Sequence, residues 1–437
     1  MRAFLDLTRS QRNWLIGIIL FGFIARVAWI FVMPYYVPVA EQSDPQEYNQ
    51  LAKNLIDGTG YRLTGLTGHF AFLMGDRIDE PSARRPPLYP VLLAAIYSIF
   101  GERYRVVFLV HCLFDVLTML AVFAIGRRLF GSINVALIAT GLMALYPPFF
   151  QQNIVIMTEG LNMLLTTLYL WAAIEAISEP RIWRFIVTGL LLGAAALTRP
   201  EAFYFAVPLS IVMLAVLLAQ KVQLKRAILM PVLMLLMMLV ADSPWLIRNA
   251  VVFDRFFPGT TLVGTNVMEG LYIPTQDESK GILTSLPPYV LPKVEGTTEM
   301  DANDILLDEA IKFLFKHPVS YIKAAPGKVI KMWLNATDWR EHYFLYYPTT
   351  NRNHYIQYSL LIPNLLLLVF ACIAMIRYRG RWLIYSSPIL LAIAFFTFAE
   401  TFLVSVGRHS VKLIPALAVI SAYGLYRMLP VGKEAAD

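Results

Sequence analysis

The chain has 437 residues, of which 57% are hydrophobic and 15% charged, and a mean hydropathy of +0.58, too apolar for the surface of a soluble domain. Its formal net charge is +7, but the basic residues sit in short loops between apolar runs and are not interleaved with aromatics, which excludes a nucleic-acid footprint. Cys112 and Cys372 lie far apart in apolar runs, which excludes a disulfide framework. The composition is that of an all-α polytopic membrane protein.

In chain order, the basic start MRAFLDLTRSQRN leads into an apolar run without a small-residue cleavage site, predicting a retained first span and not a removed signal peptide. Spans are predicted near 14–35, 104–126, 132–149, 157–177, 183–199, 202–219, 228–247, 356–376, 383–402 and 410–428. Each approaches the roughly 20 residues that cross a hydrocarbon core, the fifth being short. Pro87 to Phe100 is apolar but short and rich in Tyr and Pro, and is read as an interfacial or re-entrant helix. Three regions follow: a transmembrane core over 1–255 with a first outer loop over 36–103, an outer loop or cap over 256–355, and C-terminal membrane helices over 356–437. The cap region carries Pro258, Pro274, the Pro287-Pro288 pair and a helical pattern from Asp301 to His317.

Charge sets the orientation. One side collects the N-terminal tail, Arg127 and Arg128, Arg181 and Arg184, Lys221, Lys225 and Arg226, then Arg377, Arg379 and Arg381, and the C-terminal tail. Against these stand only Asp6, Glu179, Glu434 and Asp437. Lys and Arg crowd cytoplasmic loops, so both termini are expected in the cytoplasm and the two large loops outside.

Arg26 and Asp115 fall at similar depth in the first two spans, where an isolated charge costs several kcal/mol, and a structural pair is expected. His111, one turn away, reads as a hydrogen-bonded packing residue. The other embedded charges fall at outward ends: Glu159, Arg199 and Glu201 around Pro200, Asp242 and Arg248 around SPWLI, and Arg408 with Lys412. Because the fifth span is short, the turn at Arg199 is expected below the outer surface, facing protein or a cavity. Arg408 and Lys412, four apart, are expected on one helix face, suited to a phosphate oxygen. Snorkelling to headgroups is the alternative for one such residue; Arg199, Arg248, Arg408 and Lys412 together suggest an anionic ligand. Asp44-Pro45-Gln46-Glu47 fits a capping box opening a helix, so Asp44 is either a cap or a general base facing the cavity.

The run of motifs SDPQEYNQLAKNLIDGTGY, RRPPLYPVLLAAIYSIFG, RRLFGSINVALIATGLMALYPPF, NIVIMTEGLNMLL, GLLLGAAALTRPEA, PWLIRNAVVFDRF and GRHSVKLIPALAV resembles the type C superfamily of integral-membrane glycosyltransferases. The branch is that of the protein O-mannosyltransferases and lipid A aminoarabinose transferases. Residues 256–355 carry no part of the resemblance. It implies a polyprenyl-phosphate sugar as donor and a glycan, lipid or protein hydroxyl as acceptor, with inverting transfer on the non-cytoplasmic face of a bacterial inner membrane. Asp44 matches the family's base and Glu159 its second acidic position. Arg85, Arg199 and Arg408 match its phosphate ligands by position, and Arg248 and Lys412 are expected to join them. Glu47, Glu201 and His409 are expected to line the same cavity. No cofactor is required by the sequence; a divalent cation such as Mg or Mn, used by some relatives, stays open. A transporter or flippase for a lipid-linked glycan, or a non-catalytic lipid-binding subunit, is the rival reading. Asn335-Ala336-Thr337 fits a glycosylation acceptor pattern.

Overall fold

The structure, a computed structural model, describes residues 6–33, 44–63, 80–275, 286–334, 353–405 and 407–430. The Asn335-Ala336-Thr337 triplet lies outside the described residues. Among those described there is no strand, only an isolated bridge between Arg62 and Pro81. The helices used below are α1 (Arg9–Val32), α2 (Asp44–Ile56), α3 (Leu88–Phe100), α4 (Tyr104–Phe130), α5 (Ile133–Leu145), α6 (Pro147–Gln152), α7 (Glu159–Ser178), α8 (Ile182–Ala196) and α9 (Glu201–Ala219). They continue with α10 (Leu224–Phe253), α11 (Val263–Tyr272), α12 (Glu299–Lys316), α13 (Pro318–Leu334), α14 (Asn353–Arg377), α15 (Ser387–Glu400) and α16 (Ile414–Met428).

Each of the ten predicted spans falls on a helix. α1, α4, α7, α9, α10 and the segment Gly407–Met428 are long and apolar enough to cross a membrane. The other predicted spans coincide with shorter apolar helices, as does Pro87 to Phe100, where α3 packs on the polar helix α2. The all-α polytopic membrane fold is therefore present. α7 and α16 are mostly buried, whereas α1 and α10 are mostly exposed and carry bare apolar side chains such as Trp14, Phe31 and Val251 on the outside of the bundle.

The predicted 132–149 span is broken. Tyr146 is extended (φ −70°, ψ 113°), and Pro147 and Pro148 start a separate short helix. A residue before proline is pushed out of the helical region, and proline brings no N–H to continue the ladder. In an unbroken helix the carbonyls of Met143 and Ala144 would take the amides of residues 147 and 148, which proline lacks. Arg26 supplies donors instead: Nη2 to Met143 O at 2.9 Å and Nη1 to Ala144 O at 3.0 Å. Its Nε donates to Asp115 Oδ2 at 2.6 Å, and Asn153 Nδ2 donates to the same oxygen at 2.9 Å. The expected pair thus exists, and its guanidinium also serves the last carbonyls of α5.

α8 and α10 cross closely because Gly189 and Gly193 are four apart on one face. A Cβ at Gly189 would sit on the Met234 carbonyl, and one at Gly193 would lie 2.7 Å from Met238 O. Gly189→Ala is expected to lower stability by about 1–3 kcal/mol, the usual range for overpacking, read as a drop in thermal midpoint in detergent. An unchanged midpoint would show that the two helices can part at no cost.

Candidate functional site

Five segments bring the charged residues together: the start of α2, residues 82–87, the start of α7, the turn between α8 and α9, and a 3-10 turn, Gly407–Leu413. The short α8 ends at Ala196, so its turn sits deep, with Thr198 fully buried. Leu197 O accepts from Leu88 N at 2.9 Å, which ties that turn to the segment bearing Arg84 and Arg85.

The carboxylates and cations alternate. Glu47 accepts from Arg84 Nε at 2.8 Å and from Arg85 Nε at 2.5 Å. Asp44 accepts from Arg85 through Oδ1 and from Arg408 Nη2 through Oδ2, the latter at 2.8 Å. Arg408 Nε lies 3.7 Å from Glu159 Oε1, and the same oxygen accepts from Arg199 Nη2 at 2.7 Å. Arg199 Nη1 is 3.9 Å from Glu201, which accepts from Lys412 Nζ at 2.6 Å. Four carboxylates (Asp44, Glu47, Glu159, Glu201) thus meet five cations (Arg84, Arg85, Arg199, Arg408, Lys412). The excess positive charge suits a singly charged anion.

Burial alone would raise the Asp44 carboxyl, but Arg85 and Arg408 outweigh it and hold it well below the usual carboxylate range. Burial likewise works against charge on Arg85, and Asp44 and Glu47 more than restore it. Glu159 is the first residue of α7 and nearly buried, and among the described residues no hydrogen-bond donor reaches its Oε2. That oxygen can accept a hydroxyl.

Three expectations change. The capping box does not close, because both Asp44 oxygens and both Glu47 oxygens go to guanidiniums. Arg408 and Lys412 do not share a face: in a 3-10 turn, with three residues per turn, positions four apart diverge by about 120°. Arg408 therefore reaches Asp44, and Lys412 reaches Glu201 over the Phe396 ring. Arg248 makes no ion pair with the four carboxylates; it packs 4.9 Å from the Trp245 ring and donates to Tyr61 O at 3.2 Å. Tyr61 in turn donates its hydroxyl to Arg85 O at 2.8 Å, so Arg248 supports the site from behind. His409 Nδ1 pairs with the buried Glu400 at 2.8 Å, beside Arg408. His111 lies 3.0 Å from the Tyr89 hydroxyl, consistent with packing.

Residues not singled out in the sequence also contribute. Tyr48 lies under Arg85 with the guanidinium 5.1 Å from its ring, and Thr158 Oγ1 accepts from Arg199 Nε at 3.2 Å. Lys328 donates to Thr401 O at 2.8 Å and Leu403 O at 3.0 Å, fixing the approach to the 3-10 turn. The adjacency of Arg84 to Arg85 was a usable signal; the others carry none. Among the described residues no group of three His, Cys, Asp or Glu could hold a metal ion. Both Asp44 oxygens are engaged by guanidiniums.

Comparison with known proteins follows the same lines. Residues 84–247 match the family model described as dolichyl-phosphate-mannose-protein mannosyltransferase. The matched stretch contains Arg84, Arg85, Glu159, Arg199 and Glu201. No curated protein matches by sequence. The oligosaccharyltransferase AglB from Archaeoglobus fulgidus, solved with an inhibitory peptide and a dolichol-phosphate, superposes with TM-score 0.50 at 14% identity, covering 98% of this chain and 52% of its own. Its apo form gives TM-score 0.52 at 14% identity, covering 97% and 51%. This chain spans about half the length of that enzyme. ArnT from Cupriavidus metallidurans bound to undecaprenyl phosphate aligns with TM-score 0.43 at 12% identity, covering 96% and 79%. The resemblance to the type C membrane glycosyltransferases is borne out by the family match and by the fold.

Proposed function

We propose that this chain transfers a sugar from a polyprenyl-phosphate donor to an acceptor hydroxyl on a glycan, lipid or protein. The observation that carries the reading is Asp44 held between Arg85 and Arg408, with Glu159 on the far side of Arg408. The donor phosphate takes over these guanidiniums, and Asp44, released from them, accepts the acceptor's hydroxyl proton. The acceptor oxygen forms its bond to the anomeric carbon as the bond from that carbon to the phosphate oxygen breaks, with inversion. The electron pair leaves on polyprenyl phosphate, whose growing charge Arg85, Arg199 and Arg408 stabilise, a contribution of roughly a few kcal/mol in a dry site. Glu159 Oε2 accepts a hydroxyl hydrogen bond and orients one of the two substrates.

The basic loops support cytoplasmic termini, and this favours a site on the outer face of a bacterial inner membrane, within reach of cell-envelope acceptors. The test is release of polyprenyl phosphate when the purified chain meets a sugar-charged polyprenyl phosphate and a pool of envelope glycans, lipids and proteins. Binding of the lipid without turnover by any acceptor would overturn the enzyme reading in favour of a transporter or a binding subunit.

A further inference from the structure

We infer that Glu299, in the second outer loop, is a positioning residue that sets the backbone bearing Arg84 and Arg85; the inference rests on the reading of Arg85 as a ligand of the donor phosphate. Glu299 is the first residue of α12 and is buried. Its Oε1 accepts from Ala83 N at 2.8 Å and from the Thr261 hydroxyl. The Thr261 N–H donates back to Ala83 O at 3.2 Å. Both backbone groups of the residue before Arg84 are therefore tied to the second outer loop, through a ring of three hydrogen bonds among Ala83, Thr261 and Glu299.

The neighbouring positions are pinned as well. Ser82 N donates to Tyr61 O at 3.0 Å, and Arg84 N donates to Ser82 Oγ at 3.0 Å. Arg85 O and Pro86 O accept the Tyr61 hydroxyl, at 2.8 and 3.1 Å. From the backbone held there, the two arginine side chains reach Glu47 and Asp44. A guanidinium fork that must meet both a carboxylate and an incoming phosphate tolerates little drift in its Cα, since misplacement of about 1 Å can cost 100-fold in rate. The brace is itself stiff. Gly264 N donates to Asn303 Oδ1 at 2.9 Å, and a Cβ at Gly264 would sit on the Asn303 carbonyl, so α11 and α12 are in backbone contact just beyond Thr261 and Glu299. α11 and α12 share a small apolar core with Met268, Leu271, Leu306 and Ala310. The outer loop thereby gains a role in the chemistry of a site whose four carboxylates and five cations all lie outside it.

The experiment measures affinity of the full chain in detergent for polyprenyl phosphate, with thermal midpoint recorded in parallel. Glu299→Ala is expected to weaken binding about tenfold, as two hydrogen bonds to the brace are lost. Glu299→Gln keeps an oxygen in place for both donors and is expected within about twofold of wild type. Thr261→Val, which retains the amide bond to Ala83, is expected to lose about threefold. In an Arg85→Ala background, Glu299→Ala is expected to add nothing, because its effect passes through that arginine. Full additivity of the two changes, or wild-type affinity in Glu299→Ala, overturns the inference; if Glu299→Ala does not fold, a loss in Glu299→Gln equal to that in Arg85→Ala, or no loss in Thr261→Val, does the same. Failure of the wild-type chain to bind polyprenyl phosphate overturns the proposed function and this inference together, whereas Arg85-dependent binding that ignores Glu299 overturns only the inference.

Discussion

Asp44→Asn is expected to lower kcat by about 1000-fold, within the range assigned to a general base, while binding polyprenyl phosphate more tightly than the wild type. The tighter binding follows from the geometry. Asp44 occupies Arg85 and Arg408 in the resting site, so the donor phosphate must displace a carboxylate that Asn does not provide. A helix cap predicts the opposite pattern, a loss of about 1 kcal/mol in stability with turnover retained. The same competition gives a pH signature. In the free protein burial pushes Asp44 up but the two arginines hold it low, so the carboxylate stays ionised and its pairing is lost only as pH falls below the ordinary value of 3.8. Once phosphate engages the arginines, burial acts on Asp44 with less opposition and its carboxyl rises. The acid limb of kcat, which reports the complex, should therefore lie at higher pH than that of kcat/KM, which reports the free enzyme. Coincident limbs, or full turnover by Asp44→Asn, would remove Asp44 from the proton transfer.

How much of this was legible depended on whether the cause was local. Span positions were, because a run of about 20 apolar residues is a property of one stretch. So was the burial of the turn before Arg199, since a 15-residue helix falls short of the roughly 20 residues that cross a hydrocarbon core. The break at Tyr146 was present in the Pro147-Pro148 step but hidden inside an apolar run that otherwise reads as a span. The capping box at Asp44 was a true local pattern overruled by partners far away in sequence: Arg408 stands 364 residues on, and charge-assisted bonds to guanidinium are stronger than those to a backbone amide. Arg408 and Lys412 were misread because a 3-10 turn and an α-helical turn look alike in sequence while aiming position four differently. Glu299 gave no signal at all, since directly after Thr298, which caps α12, it reads as an ordinary first-turn acid.

Arg26→Met is expected to destabilise the chain by about 3–5 kcal/mol, the usual consequence of removing one partner of a buried ion pair. Three acceptors lose the guanidinium at once: Asp115, which is left with Asn153 alone, and the Met143 and Ala144 carbonyls that Pro147 and Pro148 cannot serve. The Arg26 guanidinium is thus matched to a defect in the backbone, and the two causes can be separated. Adding Asp115→Asn removes the stranded charge, leaving the amide of Asn153 a neutral partner. Adding Pro147→Ala and Pro148→Ala restores two amides where α5 can continue, so the quadruple variant is expected to recover more thermal stability in detergent than Arg26→Met/Asp115→Asn does. Lys at position 26 should not substitute, because one ammonium cannot span a carboxylate and two successive carbonyls as the planar fork does. If instead Arg26→Met folds with a wild-type midpoint and loses turnover or lipid movement, the pair belongs to the function and a transport role for the membrane interior gains ground. If the proline replacements bring no recovery, the guanidinium acts through Asp115 alone, and the end of α5 is held by packing around Phe150, whose ring lies 4.7 Å from Arg26.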